Sequence, residues 1–310
     1  MPGSSLLSQA AALAPAAVRG NARMLEVAVA DVLRSADLLG VLHGAPPPDA
    51  LDARDPDYIR ATLDAVRLSS EVYFRGEVRD LDRIPADGPV LLVGNHSGGT
   101  LIADTFVFAQ AFYRHFGADR PFHQLAHDLV FRVPGVRAML SRYGTVPASP
   151  EHMRRALERD AALLVYPGGD HESYRPTWQS DEIDFAGRTG FVRLALELGV
   201  PIVPVVAIGG QETALFLGQG TALARRLRLD RLRLKVLPAQ IAPPLGLTIL
   251  DLPVRVPLPA KITVRVLPPL DLGALLGARA DPQDAYDVVT GVMQTALSEL
   301  AEERTLPVVG

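Results

Sequence analysis

Short apolar runs alternate with amphipathic segments through the middle of this chain, and that alternation limits the folds open to it. Three runs are short, continuous and apolar enough to predict buried strands, over 90–93, 162–166 and 202–207. Between them, apolar residues recur every three or four positions and predict helices over 105–116, 150–159 and 188–198. Buried strands that alternate with helices predict an α/β fold, with a mixed, mostly parallel sheet flanked by helices.

Outside this middle region the same patterns are sparser. They predict helices over 21–41 and 57–72, a strand near 73–78, a strand over 261–267 and a terminal helix over 284–304. Pro201 precedes the run at 202–207 and Pro204 lies within it, and proline cannot donate to a strand ladder. We therefore predict that this strand is not an ordinary central one.

Composition excludes several classes of protein. With 310 residues, 48% of them apolar and no cysteine, the chain can bury a large core but forms no disulfide, thiolate metal site or cysteine nucleophile. A net charge of −4 argues against a nucleic-acid partner, because phosphate contacts need a basic surplus.

No uninterrupted apolar run reaches the ~18 residues of a membrane span, and the positively charged start of an export signal is missing. We expect a cytoplasmic protein.

A histidine follows the first apolar run, within a glycine-rich turn. If Asp104, at the start of the next helix, accepts a hydrogen bond from one nitrogen of His96, the other nitrogen can take a proton as a general base. The glycines after His96 admit a substrate to backbone amides that can stabilise an oxyanion. Two simpler interpretations stay open: His96 bonds a loop carbonyl, and Asp104 caps its helix.

Other catalytic motifs fail on spacing. Ser97 is not the middle residue of a nucleophile elbow, and no Gly-Lys-Ser/Thr sequence completes a phosphate-binding loop. His123 and His127 have the spacing of two zinc ligands on a helix, but Gln124 stands where the catalytic glutamate of that motif belongs. We predict no metal site.

Two later blocks carry further candidate residues. Gly168 and Gly169 follow the strand at 162–166, and Glu172 lies just beyond them. This block forms either a second wall of the same pocket or a tight turn with solvated charges. Arg188 precedes Gly190 and Phe191, where it could hold an anion near a helix start.

Taken together, these three blocks resemble the lysophospholipid or glycerolipid acyltransferase superfamily, especially its monoacylglycerol and diacylglycerol acyltransferase-like branch. The resemblance spans about 73–304 and implies an acyltransferase domain at 73–310, preceded by an N-terminal helical segment at 1–72 that packs on the core. It implies transfer of a fatty acyl group from an acyl thioester, acyl-CoA or acyl-ACP, to a lipid hydroxyl, without another cofactor. It makes His96 the catalytic base and Asp104 its partner. The substrate site that it implies is lined by Asn95, Ser97, Gly98, Gly99, Gly168, Gly169, Glu172 and Arg188.

The chain departs from the family pattern at two places. The family aspartate comes five positions after the histidine, where this chain has Leu101, and Asp104 comes eight positions after His96. The Glu-Gly-Thr-Arg block of phosphate-binding members is missing, so Arg175 or Arg188 replaces its arginine or the acceptor is a neutral acylglycerol or alcohol. A thioesterase or lipid hydrolase, and a lipid-binding protein without catalysis, remain alternatives.

One strongly basic run, 224–235, has six Lys or Arg residues against one aspartate. It either attracts anionic lipid headgroups or coenzyme A phosphates, or forms a solvated face. With the lipid substrates that the resemblance implies, it favours a protein that binds the inner membrane face peripherally.

Overall fold

The computed structural model describes residues 50–127, 130–131, 134–226, 236–249, 251, 255–277, 280–306 and 308. The helix predicted over 21–41 lies outside the described residues. So does most of the basic run, of which 224–226 are described.

A seven-stranded sheet organises the described chain. The strands of the molecule are β1 (Glu77–Arg79), β2 (Val90–Gly94), β3 (Phe122–Ala126), β4 (Thr145–Pro147), β5 (Ala162–Val165), β6 (Ile202–Ile208), β7 (Leu215–Gly218), β8 (Ala239–Ala242), β9 (Gly246–Thr248) and β10 (Thr263–Val266). The large sheet has the order β1-β10-β6-β2-β5-β3-β4, with β10 and β6 antiparallel and every other pair parallel. The predicted mixed, mostly parallel sheet is confirmed.

Helices cover both faces of this sheet. They are α1 (Pro56–Arg67), α2 (Ala103–Phe116), α3 (Pro134–Arg142), α4 (Pro150–Glu158), α5 (Gly169–Ser173), α6 (Gly190–Leu198), α7 (Thr221–Arg226), α8 (Leu272–Leu276) and α9 (Pro282–Glu302). Three of them begin in the same way, with a side chain that accepts a first-turn N–H and a proline directly after it. The capping residues are Asp55, Ser149 and Asp281.

The core consists of two layers because successive side chains of a strand point to opposite faces. Leu91 and Val93 of β2 pack toward α6 and α9, in one buried cluster. Val90 and Leu92 pack with α1 and α2 in the other. Each fully buried leucine or valine contributes roughly 1.5–3 kcal/mol to stability, so β2, buried at every position, is held from both sides.

The strand predicted near 73–78 is shorter than its sequence pattern indicates. Residues Leu68–Tyr73 form a π-helical turn after α1, and only Glu77–Arg79 joins the sheet. The turn closes where the Phe74 N–H donates to the Ser69 carbonyl. Gly76 then packs so closely on α2 that a Cβ there would lie 2.7 Å from Val107. Tertiary packing therefore overrides the local alternation.

The prediction that the strand at 202–207 is not an ordinary central strand is wrong. β6 lies inside the sheet, between β10 and β2, and contains Pro204. In an extended strand, the carbonyl and the nitrogen of one residue face the same side. The Pro204 carbonyl accepts from the Leu267 N–H, so the Pro204 nitrogen also faces Leu267, just beyond the end of β10. No ladder donor is needed at that point.

His123 and His127 do not share a helix. His123 lies within β3, its Nδ1 3.0 Å from the Gly144 carbonyl, and His127 directly follows that strand. A second, three-stranded antiparallel sheet has the order β7-β8-β9. No helix within the described part of the chain is long and apolar enough to cross a bilayer.

Candidate active site

The site lies at the carboxyl end of β2, the edge where parallel sheets carry their ligands. Asn95 continues the pairing of β2 with β6 beyond the strand: its side-chain amide donates to the Ala207 carbonyl and accepts from the Ala207 N–H, at 2.8 Å each. Asn95 is fully buried by this exchange. It therefore fixes the position at which His96 leaves the sheet.

The ring of His96 packs on an aromatic ring from the neighbouring strand. Tyr166 follows β5, and the two rings are stacked with centroids 4.5 Å apart and planes at 23°. Gly94 makes room for Tyr166, since a Cβ there would lie 2.5 Å from the ring. The Thr105 hydroxyl donates to the Tyr166 hydroxyl at 2.7 Å. These contacts hold the imidazole in one orientation.

Asp104 lies in the first turn of α2, completely buried beside this imidazole. Its Oδ2 accepts from the Ser97 hydroxyl at 2.9 Å and the Ser97 N–H at 3.2 Å, and Oδ1 accepts from the Thr105 N–H at 2.7 Å. Ile102, not Asp104, occupies the cap position of α2. Nδ1 of His96 is buried and has no hydrogen-bond partner among the described residues. The direct His96–Asp104 hydrogen bond considered from the sequence is thus replaced by one from Ser97.

Burial controls the ionisation of both groups. It lowers the pKa of His96, although the nearby Asp104 charge acts in the opposite direction. It also raises the pKa of Asp104, against the opposing effects of His96 and the Ser97 hydrogen bonds. The imidazole is therefore neutral at pH 7 and is able to accept a proton.

The backbone N–H groups of residues 96–100 all have acceptors. Gly98 donates to the Gln211 side chain at 3.0 Å, and Gly99 donates to the Ser173 carbonyl at 2.9 Å. The remaining three donate to Glu172, Asp104 and Asp251. Gly98 and Gly99 have φ of +86° and +63°, values that favour glycine. In this conformation the amides fix the turn and are not free for an oxyanion.

Glu172 is buried directly behind the turn. One carboxylate oxygen accepts from the His96 N–H at 3.0 Å, and the other accepts from the Asp184 N–H at 3.3 Å and lies 3.5 Å from Arg175. Burial raises the pKa of Glu172 to about 7. The carboxyl packs so closely on Gly168 that a Cβ at that position would overlap it. Glu172 is thus a support for His96.

The two candidate arginines have different environments. Arg188 is half-exposed, and its guanidinium donates to the Pro167 and Gly168 carbonyls and to Asp170, so that it holds the glycine turn that contains Gly169. Arg175 is buried, and beyond its ion pair with Glu172 it donates to the His96 carbonyl at 3.5 Å.

A polar cavity of about 390 Å³ adjoins Glu172 and Arg175. It is lined largely by polar and charged side chains, including His171, Gln179, Glu182, Asp184, Gln219 and Thr221. His171 and Asp184 are joined across it by a 2.7 Å contact. No group of three or more metal-ligating side chains occurs in the part of the chain that the structure describes.

Several residues of this site were not predicted from the sequence. Gln211, Asp251 and Arg255 bond the turn from more than a hundred positions away, and Arg255 donates to the Gly98 carbonyl. Gly210 is required because a Cβ there would overlap the Ser97 hydroxyl. The only local signal was the glycine pair at 209–210, which directly follows a strand, as Gly168 and Gly169 nearly do.

Comparison with known proteins relates a large part of the site to one family. A family model described as Acyltransferase matches residues 75–208. An uncharacterised protein of Mycobacterium tuberculosis is 29% identical over 243 residues, which cover 78% of this chain and 65% of that one. A human protein named "DGAT1/2-independent enzyme synthesizing storage lipids" is 31% identical over 154 residues, covering 49% of this chain and 45% of that one.

Among solved structures, the 1-acyl-sn-glycerophosphate acyltransferase PlsC from Thermotoga maritima matches with a TM-score of 0.45 at 15% identity, covering 76% of this chain and 82% of that one. The match to the mycobacterial protein spans slightly less than two thirds of that protein's length. The matched residues 75–208 include His96, Asp104, Glu172 and Arg188. With this set inside the match, residues 75–208 of the chain are similar to the Acyltransferase family.

Proposed function

We propose that the protein transfers a fatty acyl group from an acyl thioester, acyl-CoA or acyl-ACP, to the hydroxyl of a glycerolipid or another lipid, with His96 as the general base. The observation that carries the proposal is the environment of His96. Its ring is held on Tyr166 at the carboxyl end of β2, beside the buried carboxyl of Asp104, and burial keeps it neutral. A neutral imidazole in a fixed orientation is what proton abstraction from a hydroxyl needs.

The reaction then proceeds in two transfers of the same proton. The acceptor hydroxyl gives its proton to Nε2 of His96, since Nδ1 is buried in the protein, and the oxygen attacks the thioester carbonyl carbon. The tetrahedral intermediate collapses, the carbon–sulfur bond breaks, and the thiolate takes the proton back from the imidazolium. Asp104 stabilises the transient positive charge on His96. A base positioned in this way contributes typically 10²- to 10⁴-fold to the rate.

The other predicted site residues serve mainly as supports in this proposal. Asn95 and Glu172 hold the two sides of the backbone at His96, and Ser97 holds Asp104. The amides of Gly98 and Gly99 fix the turn. They therefore act by positioning the base and not by binding substrate.

We further propose a neutral acceptor, such as an acylglycerol or a long-chain alcohol. Arg175 is already paired with Glu172, and Arg188 with Asp170 and two carbonyls, so neither guanidinium is held ready for a substrate phosphate. The name of the human relative describes synthesis of storage lipids, which agrees with this choice. Such acceptors partition into bilayers, and we therefore propose peripheral association with the inner membrane face.

The test is thiol release from acyl-CoA by the full chain, measured without acceptor and with monoacylglycerol, diacylglycerol, long-chain alcohol or lysophosphatidate. We expect release to require a neutral hydroxyl lipid and to yield its ester. Release without any acceptor would instead make the protein a thioesterase. Saturable lipid binding with no turnover on any of the four would make it a lipid-binding protein.

A further inference from the structure

The small sheet turns an apolar face outward. Its register places Leu215, Ile241 and Leu247 opposite one another in a row across β7, β8 and β9. All three side chains are exposed, Leu247 to 65%. The residues that alternate with them, Phe216 and Gln240, are buried. An antiparallel sheet with one buried face normally presents polar residues to water on the other, and this one presents leucine and isoleucine.

Further exposed apolar side chains surround this row. They are Leu217, Leu245, Ile249, Val256 and Trp178. Trp178 lies at the open edge of β7, because the hydroxyl of Thr177 donates to the Ala214 carbonyl and accepts from the Phe216 N–H. Exposed apolar side chains concentrated on one face of a sheet indicate an interaction site. Tryptophan at its edge is typical of surfaces that contact the membrane interface.

The distribution of charge around this surface indicates its partner. No charged residue occurs between Glu212 and Arg225, nor between Lys235 and Asp251, so the strands themselves are uncharged. The connection from β7 to β8 contains the basic run, of which Arg225 and Arg226 are described and exposed. An apolar face joined to a basic segment complements an anionic bilayer, which offers phosphates at its surface and hydrocarbon below.

We propose that this outward side of β7, β8 and β9, together with Trp178, is a membrane-docking face. It inserts into the interface of a bilayer that contains anionic phospholipid, while Arg225 and Arg226 bind headgroup phosphates. The inference rests on the proposed function insofar as a lipid-acylating enzyme must reach acceptors within a membrane. Binding itself requires no catalysis and is therefore tested separately.

The buried side of the same sheet contacts the turn of His96, residues 96–100. Phe216 packs edge-on against Tyr174, and a Cβ on Gly99 would lie 2.9 Å from the Phe216 ring. Asp251 accepts from the Gln240 side chain at 2.8 Å and also from the Thr100 N–H. A bilayer bound to the docking face would therefore lie one sheet away from the turn of His96, where its lipids are needed.

The experiment is sedimentation of the full chain with two kinds of vesicle, phosphatidylcholine alone and an equal mixture of phosphatidylcholine and phosphatidylglycerol. Leu247→Asp is compared with Leu275→Asp, which makes the same change at a leucine of α8 that is 58% exposed. We expect Leu247→Asp to lower binding to the mixed vesicles at least about tenfold, and Leu275→Asp to leave it unchanged. Replacing both Arg225 and Arg226 by glutamine should lower it about fivefold per residue, on the mixed vesicles only.

Equal binding by Leu247→Asp and Leu275→Asp would overturn the proposal. It would also be overturned if the chain forms a dimer that Leu247→Asp dissociates, because a second copy would then cover the face. The same holds if Leu247→Asp lowers the melting temperature but not vesicle binding, because this chain itself would then cover the face. Thiol release with a detergent-solubilised acceptor should be the same in both variants. If no variant releases thiol while vesicle binding still depends on Leu247, the proposed function fails and the docking face stands.

Discussion

At the level of single residues, three ionisable side chains define the candidate site: Asp104 and Glu172 are buried, and His96 is partly buried. His96, Asp104 and Glu172 lie around one turn, and burial shifts the pKa of each toward its neutral form. The hydrogen bonds that they accept come mostly from backbone N–H groups and from Ser97. The turn is therefore rigid, and the ionisation of these groups makes its stability depend on pH.

The ionisation of Glu172 allows this pH dependence of stability to be measured directly. Its pKa rises from 4.5 to about 7 on folding, so between these values the folded protein binds more protons than the unfolded one. The free energy of unfolding should therefore fall as pH rises through this window, by about 3 kcal/mol in total from this group. Glu172→Gln should remove that part of the slope, as measured by urea unfolding at a series of pH values. Glu158→Gln, at an exposed residue of α4, is the control, and equal slopes in both variants would contradict the account.

At the level of elements, a buried ion pair in the segment after β9 holds the turn of His96. Asp251 accepts from Arg255 at 2.8 Å, with both side chains buried, and from the Thr100 N–H. Arg255 in turn donates to the Gly98 carbonyl. Two elements that are distant in the sequence are thus fixed to each other through one carboxylate and one guanidinium.

Removing one partner of this pair should cost more than removing both. Asp251→Ala leaves the Arg255 guanidinium buried without its carboxylate, and we expect a loss of about 3–5 kcal/mol in unfolding free energy. Asp251→Ala combined with Arg255→Met should recover part of this loss. Asp57→Ala, which breaks the exposed pair with Arg60, should cost less than about 1 kcal/mol. Thermal and urea denaturation of the four proteins give the comparison, and a double variant less stable than Asp251→Ala would contradict it.

Elements with a clear local period were predictable from the sequence. The helix predicted over 105–116 is observed as Ala103–Phe116, and the strand over 90–93 as Val90–Gly94. β3 was not predicted because polar His123 and Gln124 interrupt its apolar pattern. β7, β8 and β9 were not predicted either, because their pairing joins segments on the two sides of a long basic connection. In these strands leucine faces outward, whereas a strand pattern normally predicts that apolar residues face the core.

At the level of the whole molecule, the turn of His96 lies between two sheets. The large sheet supplies His96 from β2 and Tyr166 from the end of β5, and the small sheet covers Gly99. The sequence predicted the first half of this arrangement, because each glycine block directly follows an apolar run. It did not predict the cover, since Asp251 and Gln211 reach the turn only through the tertiary fold.

The central claim is that His96 is the base of an acyl transfer, and acceptor-dependent thiol release by His96→Ala tests it most directly. The control is His115→Ala, at an exposed histidine near the end of α2. With acyl-CoA and a neutral lipid alcohol, we predict that His96→Ala loses roughly 10²- to 10⁴-fold in rate, while its circular dichroism matches that of the unaltered protein and His115→Ala keeps full activity. Turnover by His96→Ala at the rate of His115→Ala would contradict the account.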